Sequence, residues 1–266
     1  MPFVKLRDAD LYYEESGTGD ETIVFSHGLL FDHRMWEHQL AYFSGRYRCI
    51  AYDHRGQGLS TVTDRGYDMD SLCADAVGLF RCLNLTRAHF VGLSMGGFVG
   101  MRLAARHPQL IDKLVLMETS ADPEVNAAKY NLLRFIFSLG GARLVSRKVI
   151  SILFGRSSLA DPSRKVTADV WRKRVEQYPT TIVRAVDGVI QRKGVADELA
   201  KINSPTLILV GDEDVATTPE KAKRIQAGIP GSVLQVLPGA GHSSCLEVPG
   251  EVNRLIGDFL ENAGKN

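Results

Sequence analysis

No run of about eighteen apolar residues occurs anywhere in the 266-residue chain, so no segment reads as a membrane-spanning helix. The start, MPFVKLRDAD, lacks the positive stretch followed by an apolar one that marks a secretory signal. Neither sign of charge is in excess: 32 Lys and Arg against 31 Asp and Glu give a formal net charge of +1. That balance provides no basic face for nucleic acid and no acidic tail. Only four cysteines are present, Cys49, Cys73, Cys82 and Cys245, too scattered for a metal site or a disulfide framework. They read as reduced thiols. A dinucleotide fingerprint is also incomplete: Gly56 and Gly58 follow an apolar strand, but the third glycine position holds Thr61. The expectation is a soluble cytoplasmic protein with no nucleic-acid or membrane partner, no metal and no organic cofactor. A chain of this length can bury a sizeable core and is long enough for one domain plus an inserted piece.

What is present centres on GLSMGG, Gly92 to Gly97, which follows the apolar run 89–93 and opens a helical run through Arg106. A serine at a sharp strand-to-helix turn has its hydroxyl lifted off the sheet edge, and the flanking glycines let strand and helix cross closely. Ser94 is therefore the candidate nucleophile. The helix behind it points unpaired N–H groups at the spot where negative charge develops in acyl transfer. A serine hydroxyl needs a base, and the base needs an orienting acid. Both follow in chain order. PTLILVGDEDVATTP, 205–219, reads as a buried strand ending at Asp212, Glu213 and Asp214, and AGHSSCLEVP, 240–249, places His242 in a loop after another strand.

These three pieces resemble the α/β-hydrolase superfamily, and the resemblance runs from about Ile23 to Leu260. It implies a mostly parallel, eight-stranded sheet covered by helices, with an inserted helical cap. The divisions are 1–120 and 201–266 for the core and 121–200 for the cap. It implies a catalytic triad of Ser94, Asp214 and His242, since the family's acid stands three residues after the glycine that ends the strand, here Gly211. Glu118, at the end of the strand 111–117, is the second choice for the acid. It further implies an oxyanion hole from the backbone N–H groups of Leu29, after His27-Gly28, and Met95, after the nucleophile. His27 reads as a structural histidine holding that loop. Asp53 and Arg55, in AYDHRGQGLS, read as loop scaffolding that either pairs together or holds backbone groups.

The alternation of strand and helix stops between Ala121 and Ala200, where helices are expected at 127–139, 142–154, 167–178 and 181–191. The run Leu132 to Gly140 is apolar on more than one face, which fits either a pocket-lining helix or a simply buried one. Trp36, Phe135 and Trp171 are the candidate pocket residues. The cap is rich in arginine and lysine, most of it read as solvated, with one or two left to meet a substrate carboxylate. Within the helix 70–83, Cys73 and Cys82 read as small apolar fillers.

The function expected is a serine hydrolase that cleaves a carboxylic ester or lactone through an acyl-enzyme, with the small molecule and water as its partners. The blocks look most like the 3-oxoadipate enol-lactonase and carboxylesterase group. A serine at the nucleophile position disfavours haloalkane dehalogenase and epoxide hydrolase chemistry, which need a carboxylate there. Similarity to cofactor-free haloperoxidases implies a peroxide-dependent side activity. Two alternatives stand beside this reading. One is a carbon–carbon bond hydrolase of the meta-cleavage product type, and the other is a non-catalytic receptor that keeps the fold without the chemistry.

Overall fold

The computed structural model describes residues 2–125 and 127–263. Eight strands form one sheet: β1 (Phe3–Lys5), β2 (Asp10–Ser16), β3 (Thr22–Ser26), β4 (Arg48–Tyr52), β5 (Ala88–Leu93), β6 (Ile111–Met117), β7 (Thr206–Gly211) and β8 (Val233–Leu237). Their order is β1-β2-β4-β3-β5-β6-β7-β8. Pairing is antiparallel around β2 and parallel from β4 to β8. The eight-stranded, mostly parallel α/β sheet with a helical insertion is thus the architecture observed.

Strands buried on both faces explain why the middle of the sheet reads as continuous apolar runs rather than alternation. In β3, Ile23 and Phe25 join one core and Val24 the other; in β7, Leu207 and Leu209 oppose Ile208 and Val210. Helices α1 (Glu37–Phe43) and α11 (Pro249–Asn262) cover the first face. Helices α2 (Met69–Cys82), α3 (Met95–Arg106) and α9 (Pro219–Gly228) cover the second. Residues Val252, Ile256 and Leu260 form the fully buried stripe of α11. Cys73 is a buried filler as expected, whereas Cys82, the last residue of α2 and off its buried stripe, is exposed.

Between β6 and β7 the chain forms α4 (Ala127–Ser138), α5 (Ala142–Leu153), α6 (Arg156–Ala160), α7 (Pro162–Gln177) and α8 (Val183–Ile190). The segment after Gly155, expected as a loop, is the short helix α6. Helix α7 starts five residues earlier than expected because Asp161 caps it, accepting from the Ser163 N–H at 2.8 Å, with Pro162 at the first helical position. No helix among the described residues is long and apolar enough to cross a membrane.

Candidate active site

Each proposed catalytic side chain stands on a loop at the carboxyl edge of the sheet. Ser94 follows β5 with φ 52° and ψ −109°, a conformation that costs a non-glycine residue strain and persists only when its surroundings hold it. They do: the Ser94 N–H donates to the Met117 carbonyl at 2.8 Å, and its carbonyl accepts from Thr119 Oγ1 at 2.8 Å. Two glycines are sterically required. A Cβ at Gly96 would stand 2.0 Å from the Ser26 carbonyl oxygen, and one at Gly92 2.4 Å from that of Gly96.

His242 Nδ1 lies 2.8 Å from Asp214 Oδ2. A carboxylate only accepts, so Nδ1 carries the proton and Nε2 is left as the basic nitrogen. Asp214 is buried, which by itself raises a carboxyl pKa, but the charge and hydrogen bond of His242 and the donors of Thr217 bring it below the usual value. Its Oδ1 accepts from the Ala216 and Thr217 N–H groups at 2.7 and 3.0 Å, and its Oδ2 from Thr217 Oγ1 at 2.7 Å. Asp214 is therefore locked as an ionised acceptor. Thr217 was not anticipated from the sequence, although the Asp-x-x-Thr spacing is a local signal for such a side-chain turn.

Glu118 does not take this role. Its carboxyl is fully buried beside Ser244 Oγ and the Gly211 backbone, and among the described residues neither oxygen makes a well-formed hydrogen bond. Burial pushes its pKa well above the ordinary carboxylate range, so it stands neutral at the end of β6 with φ 41°. Glu247 instead pins the histidine loop. Its carboxylate accepts from the N–H groups of Gly155, Gly241 and Ser243 at 2.8, 3.0 and 3.1 Å, tying the end of the cap to the residues around His242.

The two candidate oxyanion donors come from two loops. Among the described residues, the N–H groups of Leu29 and Met95 donate to no protein acceptor, as an oxyanion hole requires. Leu30 adopts φ 66° and donates its N–H to Gln57 Oε1 at 2.9 Å; Gln57 Nε2 reaches Met95 Sδ at 3.8 Å. Gln57 thus links the two loops that carry the candidate donors, a contact the sequence did not signal. His27 is a structural histidine in geometry: Nδ1 faces the Gly28 carbonyl at 2.8 Å, and Nε2 accepts from the His54 N–H at 2.9 Å. Burial lowers its pKa and keeps it neutral. Asp53 and Arg55 do not pair together. Asp53 accepts from the N–H groups of His33 and Leu59, while Arg55 grips Asp75 through two 2.6 Å bonds and reaches Asp8.

A cavity of about 130 Å³ joins these parts, with Leu29, Ser94, Thr217 and His242 on its floor and the cap as its roof. The three aromatic pocket candidates do not line it. Trp36 is fully buried against Phe25, Trp171 packs edge-on against Phe31, and Phe135 is 55% exposed. Large aromatic area is best hidden in the core, and the tryptophans go there. Helix α4 meets the cavity with Leu133 and Phe137 and shows Leu132 and Phe135 to solvent, so it is neither wholly buried nor pocket-lining on all sides. Two groups of metal-ligand side chains occur among the described residues, and neither lies on the cavity wall. Asp53 is already bonded to His33 and Asp32 to Arg34; Glu21, His89 and Asp112 sit at the amino edge of the sheet.

A sequence model described as the alpha/beta hydrolase fold matches residues 21–249. The chain belongs to that family. Within the α/β hydrolases it is similar to 3-oxoadipate enol-lactonase 2 of Acinetobacter baylyi, 28% identical with 94% of this chain and 92% of the relative covered. It is equally similar to RutD of Variovorax paradoxus, assigned by name to carbamate hydrolysis, at 28% identity over 94% of this chain and 96% of the other. Among solved structures, a thermophilic esterase from Thermogutta terrifontis superposes with a TM-score of 0.90 at 27% identity, covering 98% of both chains.

Proposed function

We propose that this α/β hydrolase cleaves a carboxylic ester or lactone by two-step acyl transfer. The observation that carries it is the 2.8 Å contact between His242 Nδ1 and ionised Asp214, with His242 and Ser94 both on the wall of one cavity beneath an apolar roof. His242 Nε2 takes the Ser94 proton as the hydroxyl attacks the carbonyl carbon. The N–H groups of Leu29 and Met95 hold the oxyanion, and the proton passes from His242 to the leaving oxygen as the acyl C–O bond breaks. Water, deprotonated by His242, then releases the acid and returns Ser94 to its hydroxyl form. The esterase and enol-lactonase relatives support ester or lactone as the bond broken. An amine leaving group, as the carbamate relative's name implies for that protein, demands more of the general acid and ranks below. Carbon–carbon cleavage requires two acidic ends held apart in one orientation, and it ranks second.

A serine-directed fluorophosphonate probe separates this enzyme from a receptor that has kept only the fold. We expect stoichiometric labelling of Ser94, slowed by at least about 100-fold in His242→Ala, because the hydroxyl loses its base. Labelling at an unchanged rate in that variant, together with no turnover of any ester by the wild type, would favour the receptor.

A further inference from the structure

The cavity roof is mostly apolar: Leu133 and Phe137 from α4, Val149 and Ile152 from α5, Val189 and Ile190 from α8. Its volume, about 130 Å³, is close to that of an engineered apolar cavity of roughly 150 Å³ that takes up benzene. Two cations, Arg134 and Arg192, also reach the wall, and each already carries its own carboxylate. Arg134 makes a two-pronged bond to Asp187, at 2.5 and 2.7 Å. Arg192, its side chain only 2% exposed, donates through Nη1 to Glu124 at 2.9 Å and to the Val189 carbonyl at 3.0 Å. Its Nε donates to the Asp122 carbonyl at 3.1 Å, and the guanidinium lies over the Phe98 ring at 4.4 Å. Its charge is spent inside the wall. A substrate carboxylate entering here would lose its water and find the arginine opposite already neutralised by Glu124.

On the ester or lactone reading above, we propose that the acyl group this site accepts is uncharged, apolar and about benzene-sized, and that the Arg192–Glu124 pair is the filter that rejects a carboxylate. A lactone or ester that keeps a free carboxylate on its acyl chain is turned away, whereas a neutral acyl chain of about six carbons fills the space under the cap.

Methyl esters test this, because methanol as leaving group is too small to occupy the cavity and the acyl chain must. Hydrolysis of methyl hexanoate, of its carboxylate-ended near-isostere monomethyl glutarate, and of methyl decanoate is followed by pH-stat in wild type and Glu124→Gln. In the wild type kcat/KM for monomethyl glutarate should fall about 100-fold below that for methyl hexanoate, and methyl decanoate at least about tenfold below. In Glu124→Gln, where Arg192 is left with an uncompensated charge, the ratio of acid to neutral ester should rise at least about tenfold. Reading the ratio within each protein makes the result independent of any change in overall activity. A gap between the acid and neutral esters smaller than about tenfold in the wild type, or one that Glu124→Gln leaves unchanged, overturns the filter. If the wild type turns over no ester or lactone and Ser94 takes no fluorophosphonate, the hydrolase reading itself falls, and this inference with it.

Discussion

Ser94→Ala should lower kcat toward a neutral short-chain ester by about 10⁴- to 10⁶-fold while leaving the melting temperature within about 2 °C of wild type. The two halves of this expectation have separate causes. Alanine keeps the Cβ, so the strained backbone at φ 52° is neither relieved nor worsened, and the clamps from Met117 and Thr119 involve only main-chain atoms of residue 94. Among the described residues, the hydroxyl makes no hydrogen bond to another side chain that the fold would miss. Its loss removes the only atom that would form the acyl bond, and what activity remains comes from binding and the oxyanion donors. Steady-state kinetics beside a circular dichroism melt gives both numbers. Activity within tenfold of wild type in a folded variant would show that another group performs the attack.

Asp214→Asn should cost about 10⁴-fold in kcat, the scale seen when the same exchange is made in triads of serine proteases. The Asn carbonyl would keep the bonds from Ala216 and Thr217, turning its amide hydrogens toward His242 Nδ1. That forces the proton onto Nε2, and the base is lost. Glu118→Gln should instead leave kcat within about threefold, since Glu118 holds no part of His242. Its effect should appear in stability. The folded-state pKa of Glu118 is raised well above its ordinary value, so its contribution to stability is fully present below about pH 4.5 and declines as pH rises toward the folded pKa. Glutamine does not titrate. The stability difference, variant minus wild type, should therefore grow between pH 5 and 8, by up to about 1.4 kcal/mol per pH unit while the folded carboxyl stays protonated. Thermal melts across that range measure it, and a difference flat with pH contradicts the neutral state of Glu118.

These two variants also show where the sequence is readable. Ser94, Asp214 and His242 each follow an apolar strand within a few residues, so the strand pattern alone carries them to one edge of the sheet. The glycines around Ser94 are legible for the same reason: a Cβ at Gly92 or Gly96 would stand 2.0 to 2.4 Å from a backbone oxygen, which leaves no alternative residue. Groups that act across the fold leave no such trace. Gln57 reaches Leu30 and Met95 from a different loop, and Glu247 draws in Gly155 from the cap. Aromatic residues in the cap region and beside the oxyanion loop suggested pocket walls, yet burial drew Trp36 and Trp171 into the core and left Phe137 of α4 and the aliphatic side chains of α4, α5 and α8 to shape the cavity. Which face of a cap helix looks inward depends on how five helices pack together, and helical spacing in any one of them does not encode that.

The central claim is a covalent acyl-enzyme on Ser94, and the direct test is to catch it. Wild-type protein is mixed with excess 4-nitrophenyl butyrate, quenched in acid within milliseconds, and weighed intact before peptide mapping. The account predicts a mass increase of one butyryl group per chain, located on the peptide containing Ser94 and absent from Ser94→Ala. Rapid nitrophenol release with no adduct, or an adduct on a different residue that persists in Ser94→Ala, would contradict it.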